Sequence, residues 1–275
     1  MLGKLMKHEF RATARLMAPL LGAVLLLSIF VRILGSILDR REAKNLPSAF
    51  IGFLPRANDI LTVLFVLGLI GLTIFAVVLM VSRFYKNLLT DEGYLMFTLP
   101  VSVHGLLWSK LLVSIVWFIA TFAVDFLAAV IAFQRNTLDI SGLFRALEQI
   151  NPVVQKHLGM SLPVLLLLMM LAALLAMVLG CLSFYAPVSI GHSFSRHQRF
   201  LSVVFYFVFQ IAMQVAAIWM LSTNVMQLTI DVYRGQIYAH KSAGAFLLLF
   251  GVLLLFCAVL YGITWLMLRR KRNLQ

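Results

Sequence analysis

The sequence predicts an all-α integral membrane protein: six transmembrane helices preceded by an amphipathic helix in the membrane interface. Two observations carry this. First, 62% of the 275 residues are hydrophobic and 12% are charged, where soluble domains have about 45–50% and about 25%. The mean hydropathy is +0.99. Second, six largely apolar stretches fall at residues 17–38, 60–82, 111–133, 161–186, 200–221 and 243–268. Each reaches about the 20 residues a helix needs to cross hydrocarbon. They are too long for strands, and a membrane barrel would show short alternating segments instead. Little chain is left for a large soluble domain.

Residues 1–16 form the first element, ahead of a six-span domain over 17–275. In MLGKLMKHEFRATARLMAP, Leu2, Leu5, Met6, Phe10 and Met17 fall near one helical face, and Lys4, Lys7, His8, Arg11 and Arg15 lie mostly on the other. That pattern fits a helix lying flat, apolar side down and basic side toward head groups. Pro19 is placed to bend the chain into the first span. The following apolar run is long and lacks an Ala-x-Ala type site, so it reads as a retained helix and not a signal peptide.

An even number of spans puts both termini on one side. With the N-terminus in the cytoplasm, the inner segments hold 13 basic residues, including the Arg269–Arg270–Lys271–Arg272 cluster, and the outer segments hold 9. The bias favours cytoplasmic termini. The net charge of +13 therefore reads as topology-setting and lipid-facing charge, not as a nucleic-acid surface. Cys181 and Cys257 each lie inside an apolar run and read as small buried hydrophobes. In the outer segment 134–160, Ile140, Leu143, Phe144, Leu147 and Ile150 recur at helical spacing, with Asp139 or Ser141 as a cap. A short helix is expected there.

Residues 83–110, RFYKNLLTDEGYLMFTLPVSVHGLLWSK, form the longest cytoplasmic segment between spans. A plain connection would be short and polar. Here Asp91, Glu92 and Gly93 supply acid and a turn, then Tyr94, Leu95, Met96, Phe97 and Leu99 supply apolar bulk up to Pro100. Such side chains need the membrane interface or a partner protein to cover them.

The run from Arg83 through Asp91–Glu92–Gly93–Tyr94–Leu95 to Pro100–Val101–Ser102, together with the opening KHEFRATARL and the six-span layout, resembles bacterial ABC-2-type transporter permeases. The likeness covers nearly the whole chain. It implies an exporter fold in a bacterial plasma membrane, with two permease subunits (two copies or two different chains) and two separate ATPase subunits. It also implies that 83–110 carries a coupling helix. Tyr85, Lys86, Asn87, Asp91, Glu92, Gly93 and Tyr94 would then form the ATPase-docking part, with Asp91 and Glu92 as leading contacts. The chain has no G-x-x-x-x-G-K-[ST] motif. ATP and Mg are accordingly expected on the partner, with no cofactor and no catalytic residue on this chain. Membrane lipids are the remaining expected partners. The substrate implied is a peptide, antibiotic or amphiphile. An ATPase-independent secondary transporter, or a membrane assembly factor, is the alternative.

Two charges fall inside spans. Arg32 is 15 residues past Met17 and Asp125 is 14 past Leu111, which suggests equal depth and a pair. The pair reads either as a gate or substrate contact, or as a structural tie with Arg32 reaching outward beside Asp39. Ala172, Ala176 and Gly180 recur every fourth residue and suggest close helix packing, and Gln210 and Gln214 suggest hydrogen bonds between helices. His192 and His197 lack acidic or thiol partners, so the 191–199 loop reads as basic and lipid-facing.

Overall fold

The computed structural model describes residues 2–42, 53–90, 93, 101–133, 148–152, 154–155, 161–194, 196–222, 228–231, 236–239 and 242–273. Six helices are long and apolar enough to cross a membrane. They are α1 (Leu2–Glu42), α2 (Phe53–Leu89), α3 (Val103–Phe133), α4 (Leu162–Gly191), α5 (Gln198–Ser222) and α6 (Ser242–Asn273). The protein is therefore a multi-pass membrane protein by length and composition. Leu26, Phe30, Phe122, Phe126, Phe207 and Trp219 are among many large apolar side chains on its outside, a surface that suits lipid and not water. Several serine and threonine hydroxyls within the spans are satisfied by their own helix. Ser28 donates to the Leu25 carbonyl at 2.7 Å, Ser114 to Lys110 at 2.8 Å and Thr264 to Leu260 at 2.7 Å, so no helix needs water for these groups.

The helices differ from the expected spans in three ways. Residues 2–16 are not a separate helix: α1 runs on through Pro19 without a break. An interior proline removes one backbone donor, and an unbroken ladder on either side of it outweighs that loss here. The basic side chains Lys4, Lys7, His8, Arg11 and Arg15 are exposed as expected, but the buried stripe is Glu9, Thr13 and Met17. Second, α2 and α3 extend into the supposed cytoplasmic segment, so the link between them is residues 90–102. Helical period continues through Phe84 and Leu88, and again from Val103 through Leu106, Leu107 and Lys110, all buried. Third, a short two-stranded antiparallel ribbon, β1 (Leu228–Asp231) and β2 (Gln236–Ala239), is added to an otherwise all-α chain, with Leu228 opposite Ala239 and Asp231 opposite Gln236. Its Leu-Thr-Ile and Gln-Ile-Tyr runs are rich in β-branched and aromatic residues. In the expected short outer helix, 148–152 is helical, and the capping residues Asp139 and Ser141 lie outside the described residues.

The chain forms two compact units. The first holds α1, α2 up to Arg83, and α3 from Gly105. One layer of its core joins Met17 to Leu79, Met80, Val113 and Trp117, and the next joins Val24 and Val31 to Phe65, Leu72 and Ala128. Numbers rise along α1 and α3 and fall along α2, so the three helices alternate in direction. The second unit holds the end of α2 from Phe84, the link to His104, and α4 to α6. There α4 packs against both α5 and α6. Gly191 permits the tight α4–α5 corner, because a Cβ there would lie 2.6 Å from the Ser202 nitrogen and 2.8 Å from the Gln198 carbonyl oxygen. His197, at φ 56°, turns the chain into α5 and accepts the Leu201 N–H at 3.0 Å. The N-terminus of α4 takes its cap from outside: the Leu162 N–H donates to Asn151 Oδ1 at 3.0 Å.

Cys181 and Cys257 are buried free thiols. In the small-residue stripe of α4, a Cβ on Gly180 would meet nothing within 4 Å among the described residues. Gln210 bonds within its own helix, to the Tyr206 hydroxyl at 2.9 Å. Length and polarity let a glutamine reach one turn back as readily as across to another helix.

Candidate functional site

The end of α2 is fastened by aromatic contacts. Phe84 is fully buried and stacks on Tyr185 of α4, with centroids 4.0 Å apart and planes at 7°. Tyr85 meets the His192 ring at 5.8 Å, just beyond the end of α4. Asn87, Leu88 and Leu89 are buried, and Lys86 is exposed. This division follows helical spacing: 84, 87 and 88 share a face, and 86 lies opposite.

The helix closes with local bonds. The Thr90 hydroxyl donates back to the Lys86 carbonyl, and the Gly93 N–H donates to the Thr90 carbonyl at 2.8 Å. A Cβ on Gly93 would sit 2.7 Å from the Leu88 carbonyl oxygen, which requires glycine at this close approach. Asp91, Glu92 and Tyr94, three of the expected docking residues, lie outside the described residues.

The far side of the link is fastened to α6. His104 Nδ1 lies 2.7 Å from the Tyr261 hydroxyl, and its ring stacks on Trp265 at 5.1 Å. Arg269 places its guanidinium 5.1 Å over the Trp265 ring. The segment 84–104 thus grips α4 through Phe84 and Tyr85, and α6 through His104. Of the expected docking residues, the structure describes Tyr85, Lys86, Asn87 and Gly93, at the end of α2 and just beyond it. Sequence reasoning missed the anchors Phe84 and His104; their helical spacing from the buried positions Leu88 and Leu107 was the available signal.

The intramembrane charges do not form the expected pair. Asp125 Oδ2 lies 3.2 Å from the Thr73 hydroxyl of α2, which also donates to the Leu69 carbonyl, and Oδ1 has no hydrogen-bond partner among the described residues. Arg32 instead lines a cavity with Asn58, Asp59, Thr62, Ala132 and Phe133. Ala132 is 7 residues beyond Asp125 on α3, roughly 10 Å along the axis. The depths were mismatched because α1 and α3 do not start level at Met17 and Leu111. Thr13 of α1 is level with Trp117 of α3, joined by an indole N–H that donates to the threonine hydroxyl at 2.7 Å.

One turn away lies a pair the sequence reading missed. Glu9 and Lys110 form an ion pair with both side chains almost wholly buried, 6% and 4% exposed. Glu9 is the one acid among the basic residues before Asp39. That exception was the signal available.

Comparison with family models, curated proteins and solved structures returns no match. The functional reading therefore rests on the residues themselves.

Proposed function

We propose that this chain is the membrane-spanning permease subunit of an ATP-driven exporter, working with separate ATPase subunits and a second permease subunit. One observation carries the reading furthest: the 84–104 link is tied to α4 by Phe84 and Tyr85 and to α6 by His104, while Lys86 stays exposed. A partner that grips this link moves the ends of two spanning helices directly. Rigid helices then carry the displacement into the membrane. The likeness of the DEGYL–FTLPVS run and of KHEFRATARL to ABC-2-type permeases supports the same role, as does a chain without a phosphate-binding loop motif of its own.

In this reading Asp91 and Glu92 meet basic groups of the ATPase, and ATP and Mg belong to that partner. Both termini lie in the cytoplasm of a bacterial cell, and the cargo is a peptide, antibiotic or amphiphile moved outward. The Oδ1 of Asp125, without a partner among the described residues, favours a second reading, a secondary transporter, because such proteins keep ionisable groups at mid-membrane.

The test is gentle extraction from the native membrane, with wild type and the Asp91→Lys/Glu92→Lys double variant side by side. An ATPase that accompanies the wild type and is lost from the double variant supports the docking role. Absence of any ATPase from the wild type overturns it and turns attention to Asp125.

A further inference from the structure

The first unit contains a cavity of about 420 Å³ where α1, the start of α2 and the end of α3 meet. This volume lies within the roughly 300–1,000 Å³ of ligand clefts. Its lining includes Arg32, Asp59, Asn58 and Thr62, with Val31, Val63, Ala132 and Phe133 supplying apolar wall. Both signs of charge therefore face one space.

The position along the helices fixes the level. Asn58 and Asp59 lie 5 and 6 residues into α2, and Phe133 is the last residue of α3. From Ile60 to Val81 α2 is largely apolar. The cavity sits where polar helix ends give way to spanning segments, the level at which head groups lie. On the continuous α1, Arg32 is 23 residues from Glu9, about 35 Å away along the axis, so the cavity is at the other end of this unit from the Glu9–Lys110 pair.

One buried atom points to the ligand. Asn58 Oδ1 is shielded from solvent and has no hydrogen-bond partner among the described residues. It is an acceptor, so it calls for a donor. Leaving such a group unmade costs about 1–3 kcal/mol. The neighbouring Asp59 carboxylate makes a positively charged donor the best match, and the Arg32 guanidinium suits an anionic group a few bonds away.

We infer that this cavity binds a zwitterion carrying a primary ammonium next to a phosphate or carboxylate, with the aminophospholipid head group as the form available at that depth. The ammonium donates to Asn58 Oδ1 and Asp59, and the phosphate meets Arg32. A choline head group fills the same space but has no N–H to give. This inference is independent of the proposed transport role.

Native mass spectrometry of the full chain in detergent tests it, with phosphatidylethanolamine, phosphatidylcholine and phosphatidylglycerol of matched acyl chains. The expected result is retention of phosphatidylethanolamine over phosphatidylcholine by about tenfold, collapsing to near parity in Asp59→Asn. Asp59 is exposed, so this variant keeps the fold, and its far-UV circular dichroism should match wild type. Arg32→Gln should weaken binding of phosphatidylethanolamine and phosphatidylglycerol together. Competition by soluble phosphoethanolamine as strong as by the lipid would assign the cavity to a soluble zwitterion of the same chemistry; no competition would assign it to the lipid. Equal retention of ethanolamine and choline lipids by the wild type, or an undiminished preference in Asp59→Asn, overturns the inference.

Discussion

Both units stack rings between helices, as Phe10 on Trp117 in the first, but among the described residues only the first adds a buried ion pair. In the first, polar groups tie helix to helix: Glu9 with Lys110 and Trp117 with Thr13 in buried contacts, and Thr73 with Asp125 in an exposed one. In the second, rings meet rings: Phe84 with Tyr185, Phe184 with Tyr206, and His104 with Trp265. The contrast matters because water is absent from the hydrocarbon. A buried charge that slides by one residue loses its ion-pair partner, so polar pairs hold α1 and α3 at one register. Stacked rings lose little when they shift by a fraction of a ring width. The first unit is accordingly built to stay in register, and the second has joints that tolerate movement at the link proposed to receive force.

The largest effect should come from the polar side. Lys110→Ala leaves Glu9 buried without its cation and should destabilise the protein by about 3–5 kcal/mol, measured as a fall in thermal midpoint in detergent. The reversed pair Glu9→Lys/Lys110→Glu should recover much of the loss. If the reversed pair is as damaged as the single variant, the two charges do not act as a pair.

Phe84→Ala should come next, at about 3 kcal/mol, for the loss of a fully buried ring and its stack on Tyr185. The contrast sharpens if Phe84→Leu, which keeps apolar bulk without the ring, recovers most of the stability. It breaks if Phe84→Leu is as harmful as Phe84→Ala, because the aromatic joint would then be as exacting as the ion pair.

The smallest of the three is Trp117→Phe. It keeps an aromatic ring against Phe10, now 4.9 Å away and nearly parallel, and removes the N–H that donates to Thr13. A loss of about 1 kcal/mol is expected. Thr13→Val should cost a similar amount, and the two changes together should cost less than their sum. Full additivity in that double-variant cycle would show that the bond contributes nothing.

Much of this protein was legible before any coordinates. Apolar runs of bilayer length gave six spanning helices because backbone groups in hydrocarbon must pair within their own segment. The basic residues of 1–16 were correctly placed outside, since charged groups stay hydrated. Tyr85, Lys86, Asn87 and Gly93 lie at the end of α2 or just beyond it, as neighbours in sequence must. The helix ends were not legible. Windows of hydropathy stop at the first charges, whereas α2 runs on to Leu89 and α3 begins at Val103, because helical pairing continues wherever a face finds a partner.

Tertiary structure alone decided the pairings. Glu9 with Lys110 and Arg32 beside Asn58 and Asp59 depend on how far one helix is shifted along the next. A shift of one turn moves a side chain by about 5.4 Å, more than the reach of a hydrogen bond. Periodicity names the face of each helix, and composition names the solvent. The axial register between helices comes from packing of side chains remote in sequence, and that register set which buried charges meet.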